Sequence, residues 1–262
     1  MARPRVRLLD LLTSRYPDRS PRELSSAVMR GEVNVNGQPV LKPGVRVPGD
    51  AVVDVREGRP YVSRGGEKLA RALDEWGIDC RGRVFLDAGC STGGFTDCLL
   101  ARGAATVFAV DVGVNTLAWS LRSDPRVVVR EGTNIMSLQF GSLEPPPQAA
   151  VADLSFRSLR GAAAHILGLT RDRWGIFLVK PQFEWADPPP EFHGVVRGEG
   201  DLRAIVEALL EDLVKEGVRA ARAAASPIRG RRGNREFLLL LHGEAAEPPV
   251  APALDLGRLW GE

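Results

Sequence analysis

The stretch Asp87-Ala88-Gly89-Cys90-Ser91-Thr92-Gly93-Gly94-Phe95 decides the fold of this chain. It follows an apolar segment at 84–87 that is typical of a short strand, and it leads into a segment at 93–102 that is typical of a helix. In open α/β sheets, ligands bind beyond the carboxyl ends of the strands, where glycine lets the backbone approach them closely. The sequence therefore predicts a ligand-binding loop. A tight strand-to-helix turn without a ligand is the alternative.

A second acidic residue, Asp111, ends the next predicted strand at 106–111. There it is placed to accept hydrogen bonds from ribose hydroxyls. Asp87 is placed to interact, directly or through water, with the cationic amino-acid end of S-adenosylmethionine. The glycine spacing also differs from the GxGxxG pattern of dinucleotide sites. The two carboxylates and the loop together favour S-adenosylmethionine as the ligand.

Strands and helices alternate along most of the remaining chain. This alternation predicts a mostly parallel sheet that is covered by helices on both faces, which is the α/β class. A helix is predicted from Gly66 to about Trp76. The further predicted elements are helices at 115–122 and 201–216, an extended segment at 127–130, strands at 149–153 and 176–180, and a closing pair of strands at 218–225 and 236–241.

The first 60 residues have the pattern of a separate small α+β unit. Helices are predicted at 5–16 and from Ser20-Pro21-Arg22-Glu23 to Gly31, because this tetrapeptide combines an N-cap, a proline at the first helical position and a glutamate at the third. Strands are predicted at 33–36, ending in the hairpin turn Asn36-Gly37, and at 45–47 and 51–55. The predicted domains are residues 1–58, a linker at 59–64, a large domain at 65–243, and a mobile tail rich in proline and alanine at 244–262.

The charge is unevenly distributed between the two predicted domains. Residues 1–60 contain 11 Lys/Arg and 7 Asp/Glu, a net charge of +4, whereas the rest of the chain carries −2. A basic module on a nearly neutral body indicates a polyanionic partner such as RNA. The predicted phosphate contacts are Arg3, Arg5, Arg7, Arg22 and Arg30, together with Arg231 and Arg232 in a glycine-containing basic loop for which an exposed hairpin tip is an equal alternative.

Composition argues against several other classes of protein. No apolar run reaches the length of a membrane span, and the first residues lack the apolar core of a signal peptide. Cys80, Cys90 and Cys98 form no CxxC pair, and the three histidines are scattered. We therefore expect a monomeric cytoplasmic protein with no metal site, no disulfide bond and no membrane partner.

A dispersed set of charged residues forms a candidate catalytic group. Asp153 and Lys180 end two predicted central strands at the same edge of the sheet as Asp87 and Asp111. Lys68 lies on the helix before the large domain's first strand, and Glu236 begins its last strand. Lysine occurs only four times in the chain, against many arginines. A lysine at a strand end therefore indicates a need for a deprotonatable amine, which arginine does not provide.

These segments resemble the TlyA family, two-domain relatives of the FtsJ-like (RrmJ-like) 2'-O-ribose methyltransferases. The resemblance spans residues 5–242. It implies a class I, Rossmann-like methyltransferase domain that uses S-adenosylmethionine, and an alpha-L type RNA-binding domain at the N-terminus. It also implies a Lys-Asp-Lys-Glu tetrad and 2'-O-methylation of ribosomal RNA at cytidine. The matching motifs are Val62-Ser63-Arg64-Gly65-Gly66 with Lys68, the glycine loop, Val110-Asp111-Val112-Gly113, Asp153-Leu154-Ser155-Phe156, Lys180-Pro181-Gln182-Phe183-Glu184, Gly194-Val195-Val196-Arg197 and Gly233-Asn234-Arg235-Glu236-Phe237.

On this resemblance the tetrad maps onto Lys68, Asp153, Lys180 and Glu236. Lys180 is expected to take the proton of the ribose hydroxyl, with Lys68 lowering its pKa by repulsion between like charges. Asp153 is expected to orient Lys180, and Glu236 to hold Lys68 or the ribose. The predicted cofactor-binding residues are Asp87, Gly89, Ser91, Thr92, Gly93, Gly94, Asp111 and Asn134.

Two other functions stay open at this point. One is an RNA-binding protein whose methyltransferase fold is inactive, against which the intact loop and tetrad positions argue. The other is a cytolytic protein, because some TlyA relatives carry the name haemolysin. Lysis requires an amphipathic, membrane-seeking segment, but the predicted helix at 201–216 is acidic rather than cationic.

Overall fold

The computed structural model describes residues 5–29, 31–55, 60–230 and 232–260. These residues form two compact units, one up to Pro60 and the other from Tyr61 onward. The end of the predicted linker, residues 61–64, therefore belongs to the second unit. The physical reason is local packing: the backbone N–H of Val62 donates a 2.7 Å hydrogen bond to the Asp97 carboxylate, and the Tyr61 ring lies against Gly66.

The first unit packs two helices against short strands. Strand β1 pairs antiparallel with β4, and β2 pairs antiparallel with both β3 and β5. Leu8, Leu12, Leu24 and Val28 are fully buried in its core. Its elements are β1 (Arg5–Arg7), α1 (Leu8–Arg15), α2 (Pro21–Met29), β2 (Val33–Val35), β3 (Gln38–Pro39), β4 (Arg46–Pro48) and β5 (Val53–Val55).

Local sequence signals in this unit are confirmed with one exception. Ser20 and Glu23 form the predicted capping box, in which each residue's side chain accepts a hydrogen bond from the other's backbone N–H. Asn36 and Gly37 both have positive φ, as the predicted hairpin turn requires. The prediction of a single helix at 5–16 was wrong at its start, because Arg5–Arg7 pairs with β4 and the helix begins only at Leu8.

The second unit is built on a seven-stranded sheet with the order β11-β12-β10-β9-β6-β7-β8. Strand β12 is antiparallel to both its neighbours, and the other neighbouring strands are parallel. The strands are β6 (Val84–Ala88), β7 (Thr106–Val110), β8 (Val127–Arg130), β9 (Ala149–Ala152), β10 (Trp174–Val179), β11 (Val218–Ala225) and β12 (Phe237–Gly243). The helices are α3 (Arg64–Trp76), α4 (Gly94–Ala101), α5 (Trp119–Arg122), α6 (Ala162–Gly168), α7 (Pro181–Glu184), α8 (Glu199–Lys215) and α9 (Gly257–Trp260), with a 3-10 turn at Ile135–Ser137.

Helices cover both faces of this sheet, so the predicted α/β class is confirmed. Alternate residues of β6 point to opposite sides. Phe85 packs in one buried cluster with residues of α3 and α4, and Leu86 packs in another with residues of α6 and α8. The strand-end residues predicted to bind the cofactor and to take part in catalysis therefore share one edge of the sheet, between two packed layers.

The predicted helix at 115–122 is restricted to Trp119–Arg122. The Glu131 carboxylate accepts hydrogen bonds from the backbone N–H groups of Asn115, Thr116 and Leu117, and these bonds hold the first residues as a loop. Arg122 pairs with the same carboxylate at 2.5 Å. At 115–117, hydrogen bonds to the Glu131 carboxylate therefore take the place of the predicted helical structure.

The segment predicted as a mobile tail packs on the second unit over its described residues. The backbone N–H of Ala253 donates to the carbonyl of Ala221 at 2.9 Å. Leu259 is buried, and the Trp260 ring lies 5.3 Å from that of Phe237. A few apolar residues anchor this segment despite its proline and alanine content.

Candidate active site

The glycine loop joins β6 to α4, as predicted, but its glycines face protein atoms. Gly89 has φ +82°, and a Cβ there would lie 2.7 Å from the carbonyl oxygen of Asp153. Gly93 has φ +98°, and a Cβ there would lie 2.3 Å from the side chain of Leu121. At Gly94 a Cβ would lie 2.2 Å from Oγ of Ser63. The glycines thus allow three close contacts within the fold, and their predicted contact with a ligand stays a prediction.

Asp87 is the most deeply buried acidic residue of the loop region, with 0% exposure. Its Oδ2 accepts hydrogen bonds from the backbone N–H of Thr96 at 3.0 Å and from the Thr96 hydroxyl at 2.6 Å. Its Oδ1 has no hydrogen-bond partner among the described residues. Burial raises the pKa of this carboxyl to about 7, and the neighbouring carboxylates of Asp153 and Asp111 act in the same direction.

Asp111 follows β7 and holds two loops in place. Its Oδ2 accepts the backbone N–H of Ser91 at 2.8 Å, and its Oδ1 accepts that of Gly113 at 2.7 Å. Ser91 has φ +47°, an uncommon value for a residue with a side chain. The Thr92 carbonyl accepts the backbone N–H of Ala118. Asp111 therefore positions the glycine loop, and further lone pairs remain on each of its oxygens for a ligand.

Asn134 lies on the same side of the second unit, in the segment after β8. Its side-chain carbonyl accepts the backbone N–H of Met136 and caps the 3-10 turn. This leaves the side-chain NH₂ group as a donor toward solvent. Its predicted role as a cofactor contact stays a prediction.

The four residues of the predicted tetrad form two ion pairs. Lys68 Nζ lies 2.5 Å from Glu236 Oε2, and both side chains are buried. Lys180 Nζ lies 2.6 Å from Asp153 Oδ1 and donates a 2.9 Å hydrogen bond to the Ser155 hydroxyl. Each lysine therefore has its own carboxylate. Of the two roles predicted for Glu236, the structure favours holding Lys68.

Strand register brings these pairs to the edge of the sheet that carries the glycine loop. Val179 lies opposite Phe237, so Lys180 and Glu236 each flank the same end of the β10–β12 pair. The backbone N–H of Asp153 donates to the carbonyl of Ala88, immediately before the loop. Four neighbouring strands, β6, β9, β10 and β12, together with helix α3 thus bring a buried carboxylate, a glycine loop and two lysine–carboxylate pairs to one edge.

Comparison with known proteins identifies this architecture. The model of the FtsJ-like methyltransferase family matches residues 61–242. The chain belongs to the FtsJ-like methyltransferase family. It is therefore a methyltransferase, and S-adenosylmethionine is its cofactor. The recognition of this family from the sequence, the fold class and the cofactor are confirmed.

Individual relatives extend this family likeness over nearly the whole chain. The chain is 40% identical to the 16S/23S rRNA (cytidine-2'-O)-methyltransferase TlyA of Mycobacterium tuberculosis, over 97% of this chain and 96% of the relative. It is 34% identical to Hemolysin A of Brachyspira hyodysenteriae, over 89% and 98%. A solved structure from Streptococcus thermophilus, also named a hemolysin, is 34% identical with a TM-score of 0.70, over 94% of this chain and 90% of that one.

The hemolysin names of two relatives make membrane segments a relevant question. Among the described helices, none combines the length and the apolar character that crossing a bilayer requires.

The geometry around Asp87 fits the family's cofactor. A buried carboxylate oxygen without a partner is costly unless a donor or a positive charge meets it. The amino-acid end of S-adenosylmethionine carries an ammonium group, which supplies both. Asp87 and Asp111 stay the predicted contacts of the cofactor's amino-acid end and of its ribose, respectively.

We predict that cofactor affinity depends on pH through Asp87. A protonated carboxyl does not pair with an ammonium group, so affinity is fully present above the pKa and is lost as the pH falls through about 7. Below that value the dissociation constant should rise about tenfold for each pH unit, because the competent fraction falls in proportion. Calorimetry between pH 5.5 and 7.5 measures this slope.

The matched control is Asp87→Asn, which keeps the shape and removes the titration. Its affinity should be lower than that of the wild type at pH 7.5 and independent of pH. A wild-type affinity without a slope, or the same slope in the variant, would contradict the assignment.

Two of the described arginines predicted to bind RNA, Arg5 and Arg7, lie on one two-stranded ribbon, and a residue missed from sequence joins them. Arg5 and Arg7 lie on the same face of β1, because side chains alternate along a strand. Arg46 of β4 lies directly opposite Arg7. The guanidinium groups of Arg5 and Arg46 each donate to the other residue's carbonyl. Arg46 could not be assigned from sequence because its register with β1 was unknown.

The other predicted RNA contacts are dispersed. Arg22 is exposed on α2, and Arg232 is exposed in the loop before Glu236. Arg3, Arg30 and Arg231 lie outside the described residues.

An exposed aromatic residue stands beside the Lys180–Asp153 pair. Phe156 is 91% exposed and has φ +60°, which is rare for a bulky residue. Its ring lies 5.3 Å from that of Phe183. The preceding residue, Ser155, is the hydroxyl that contacts Lys180. Phe156 belongs to one of the motifs shared with the TlyA family, but its role could not be predicted, because exposure is not visible from sequence.

Proposed function

We propose that this protein transfers the methyl group of S-adenosylmethionine to the 2'-hydroxyl of a cytidine ribose in ribosomal RNA, acting as a monomer in the cytoplasm. The observation that carries the proposal is the pair of lysine–carboxylate contacts at the edge of the sheet that holds the cofactor loop. The relative from Mycobacterium tuberculosis, 40% identical over nearly the full length, supports ribosomal RNA as the substrate class.

The reaction requires a ribose 2'-hydroxyl that is made nucleophilic and held in line with the methyl–sulfur bond of the donor. When bound, S-adenosylmethionine supplies a methyl group already activated by its sulfonium centre. Lys180, once the ion-paired ammonium has released its own proton to solvent, accepts the proton of the 2'-hydroxyl. Asp153 orients Lys180 through the 2.6 Å contact, with Ser155 as a second support. Lys68 and Glu236 form a fixed pair that borders the acceptor ribose. Positioning supplies much of the rate.

The arginine ribbon of the first unit supports RNA recruitment. Like charges directly opposite each other on paired strands destabilise a sheet. None of Arg5, Arg7 and Arg46 forms an ion pair with a carboxylate in the part of the chain that the structure describes. The cross-strand hydrogen bonds fix two of the three guanidinium groups in place. Such a preorganised group of cations suits successive phosphates of an RNA backbone.

We predict that Arg46→Ala weakens binding of a ribosomal RNA fragment and lowers the slope of log K against log salt by about 1, as the loss of one phosphate contact should. Arg5→Ala should behave alike. The control is Arg81→Ala, because Arg81 is exposed but paired with Asp79 in the second unit. An unchanged salt slope in both ribbon variants would remove this surface from the proposal.

We also predict that Phe156→Ala slows methylation, because an exposed ring beside the acceptor site offers a stacking face to an unstacked base. Loss of one stacking contact costs about 1–3 kcal/mol, or roughly 5- to 150-fold. Phe140→Ala is the control, since Phe140 is also exposed, at 64%. Equal effects of the two substitutions on single-turnover rates would show that Phe156 has no such role.

The function as a whole is tested by mapping 2'-O-methyl groups in ribosomal RNA from cells with and without the gene, and from cells carrying Lys180→Ala. We expect a methylated cytidine that disappears in the latter two. If the methylation pattern is the same in all three, the protein is an RNA-binding protein without this activity or acts on another substrate. Lysis of erythrocytes by purified protein that binds no cofactor would instead favour the cytolytic function.

A further inference from the structure

The Glu236 carboxylate lies close to Gly230, a residue that has no part in the proposed mechanism. A Cβ atom at Gly230 would lie 2.6 Å from Glu236 Oε1, which is closer than such atoms approach in folded proteins. On its other side, Glu236 Oε2 contacts Lys68 Nζ at 2.5 Å. The carboxylate is therefore held between a backbone surface and its cation.

The backbone around Gly230 is held in a closed turn. The N–H of Gly230 donates to the carbonyl of Asn234 at 2.9 Å, and the N–H of Gly233 donates to the carbonyl of Gly230 at 2.9 Å. A guanidinium nitrogen of Arg229 donates to the Gly233 carbonyl. Gly230 is thus fixed relative to Asn234, two residues before Glu236.

Asn234 anchors this turn to a second segment. Its side chain is buried, with 3% of the residue exposed. Its Oδ1 accepts the backbone N–H of Val196 at 2.9 Å, and its Nδ2 donates to the Gly194 carbonyl at 2.8 Å. Both ends of the amide are therefore satisfied by backbone groups nearly 40 residues away in sequence. A surface loop with several glycines is normally mobile, and this anchoring removes that freedom at one end.

We infer that Gly230 and Asn234 are positioning residues that set the Glu236 carboxylate against Lys68. This inference rests on the proposed role of the tetrad. Asn234 fixes the turn. Because Gly230 has no side chain, its backbone lies close to the Glu236 carboxylate and limits the carboxylate's position to one at which it contacts Lys68. The basic loop therefore has a task besides any phosphate contacts of its arginines.

The test is a double-mutant cycle on single-turnover methyl transfer to ribosomal RNA. Gly230→Ala should slow transfer by about 10²-fold, because a displacement of about 1 Å in a catalytic group has that effect. In a Glu236→Ala background, the same Gly230→Ala change should have no further effect, because the carboxylate it displaces is absent. Asn234→Ala should show the same dependence on Glu236. Cofactor affinity should stay at the wild-type value in both single variants.

Gly168→Ala is the control, because a Cβ there meets nothing within 4 Å. Circular dichroism confirms that each variant is folded at the assay temperature. If the effects of Gly230→Ala and Glu236→Ala multiply, the turn acts independently of the carboxylate and the inference is wrong. If Glu236→Ala alone retains wild-type rates, the proposed tetrad fails instead, so the two failures are distinguishable.

Discussion

Lys180→Arg is expected to slow single-turnover methyl transfer by about 10²–10⁴-fold, which is the usual cost of losing a positioned base. The positive charge is kept, but a guanidinium group does not deprotonate usefully. Cofactor binding should be unchanged, because Lys180 contacts Asp153 and Ser155 rather than the glycine loop. The matched control is Lys215→Arg, since Lys215 also pairs with an aspartate, Asp212, but on the exposed face of α8.

Loss of activity in Lys180→Arg has a second explanation, because the Lys180 side chain is only 11% exposed and a guanidinium group is larger. Chemical rescue separates size from basicity. Lys180→Cys should be inactive, and alkylation to aminoethylcysteine should restore an amine of lysine-like size and much of the activity. Cys80, Cys90 and Cys98 are buried, and burial raises the pKa of each thiol, so they should react slowly. Near-wild-type rates in Lys180→Arg would show that the residue acts as a charge.

Glu236→Ala is expected to lower the free energy of unfolding by about 3–5 kcal/mol and to slow single-turnover methyl transfer strongly, to a residual rate that can still be measured. The stability loss follows from Lys68, whose side chain is 10% exposed and would be left as a buried cation without a partner. Replacing both residues, as Lys68→Met with Glu236→Leu, should recover most of the stability, because apolar side chains of similar size remove both charges. The double variant should transfer the methyl group as slowly as Glu236→Ala does.

Urea unfolding measures these differences in the free energy of unfolding. The ion pair used for comparison lies on α3, the helix that also carries Lys68. Arg71 and Glu75 form an exposed ion pair on α3, so Glu75→Ala should cost less than about 1 kcal/mol. Wild-type activity in the apolar double variant would show that the pair has only a structural role. Equal stability losses for Glu236→Ala and Glu75→Ala would show that Lys68 is not effectively buried.

The sequence predicted the elements that carry strong local signals. The glycine loop, the capping box at Ser20 and the strand ends at Asp87 and Asp111 each depend on residues close together in the chain. Parallel strands place their carboxyl ends at one edge, so Asp153 and Lys180 could be assigned to the edge of the glycine loop from the strand pattern. Lys68 and Glu236 joined them as a tetrad only through the family resemblance.

Contacts between distant segments were beyond prediction. Glu131 unwinds the start of the predicted helix at 115–122 through hydrogen bonds to three backbone N–H groups. Arg46 joins the arginine ribbon only through its register with β1. Likewise, pattern alone did not show that each lysine of the tetrad has a separate carboxylate, because that depends on side-chain directions.

The Lys68–Glu236 contact also joins two segments that are synthesised far apart in time. The two residues are separated by 168 positions, from the first helix of the second unit to the start of its last strand. A growing chain that has been synthesised through β11 still lacks the partner of Lys68 and strand β12, which lies between β10 and β11. Incomplete chains still attached to a translating ribosome therefore have no assembled acceptor site.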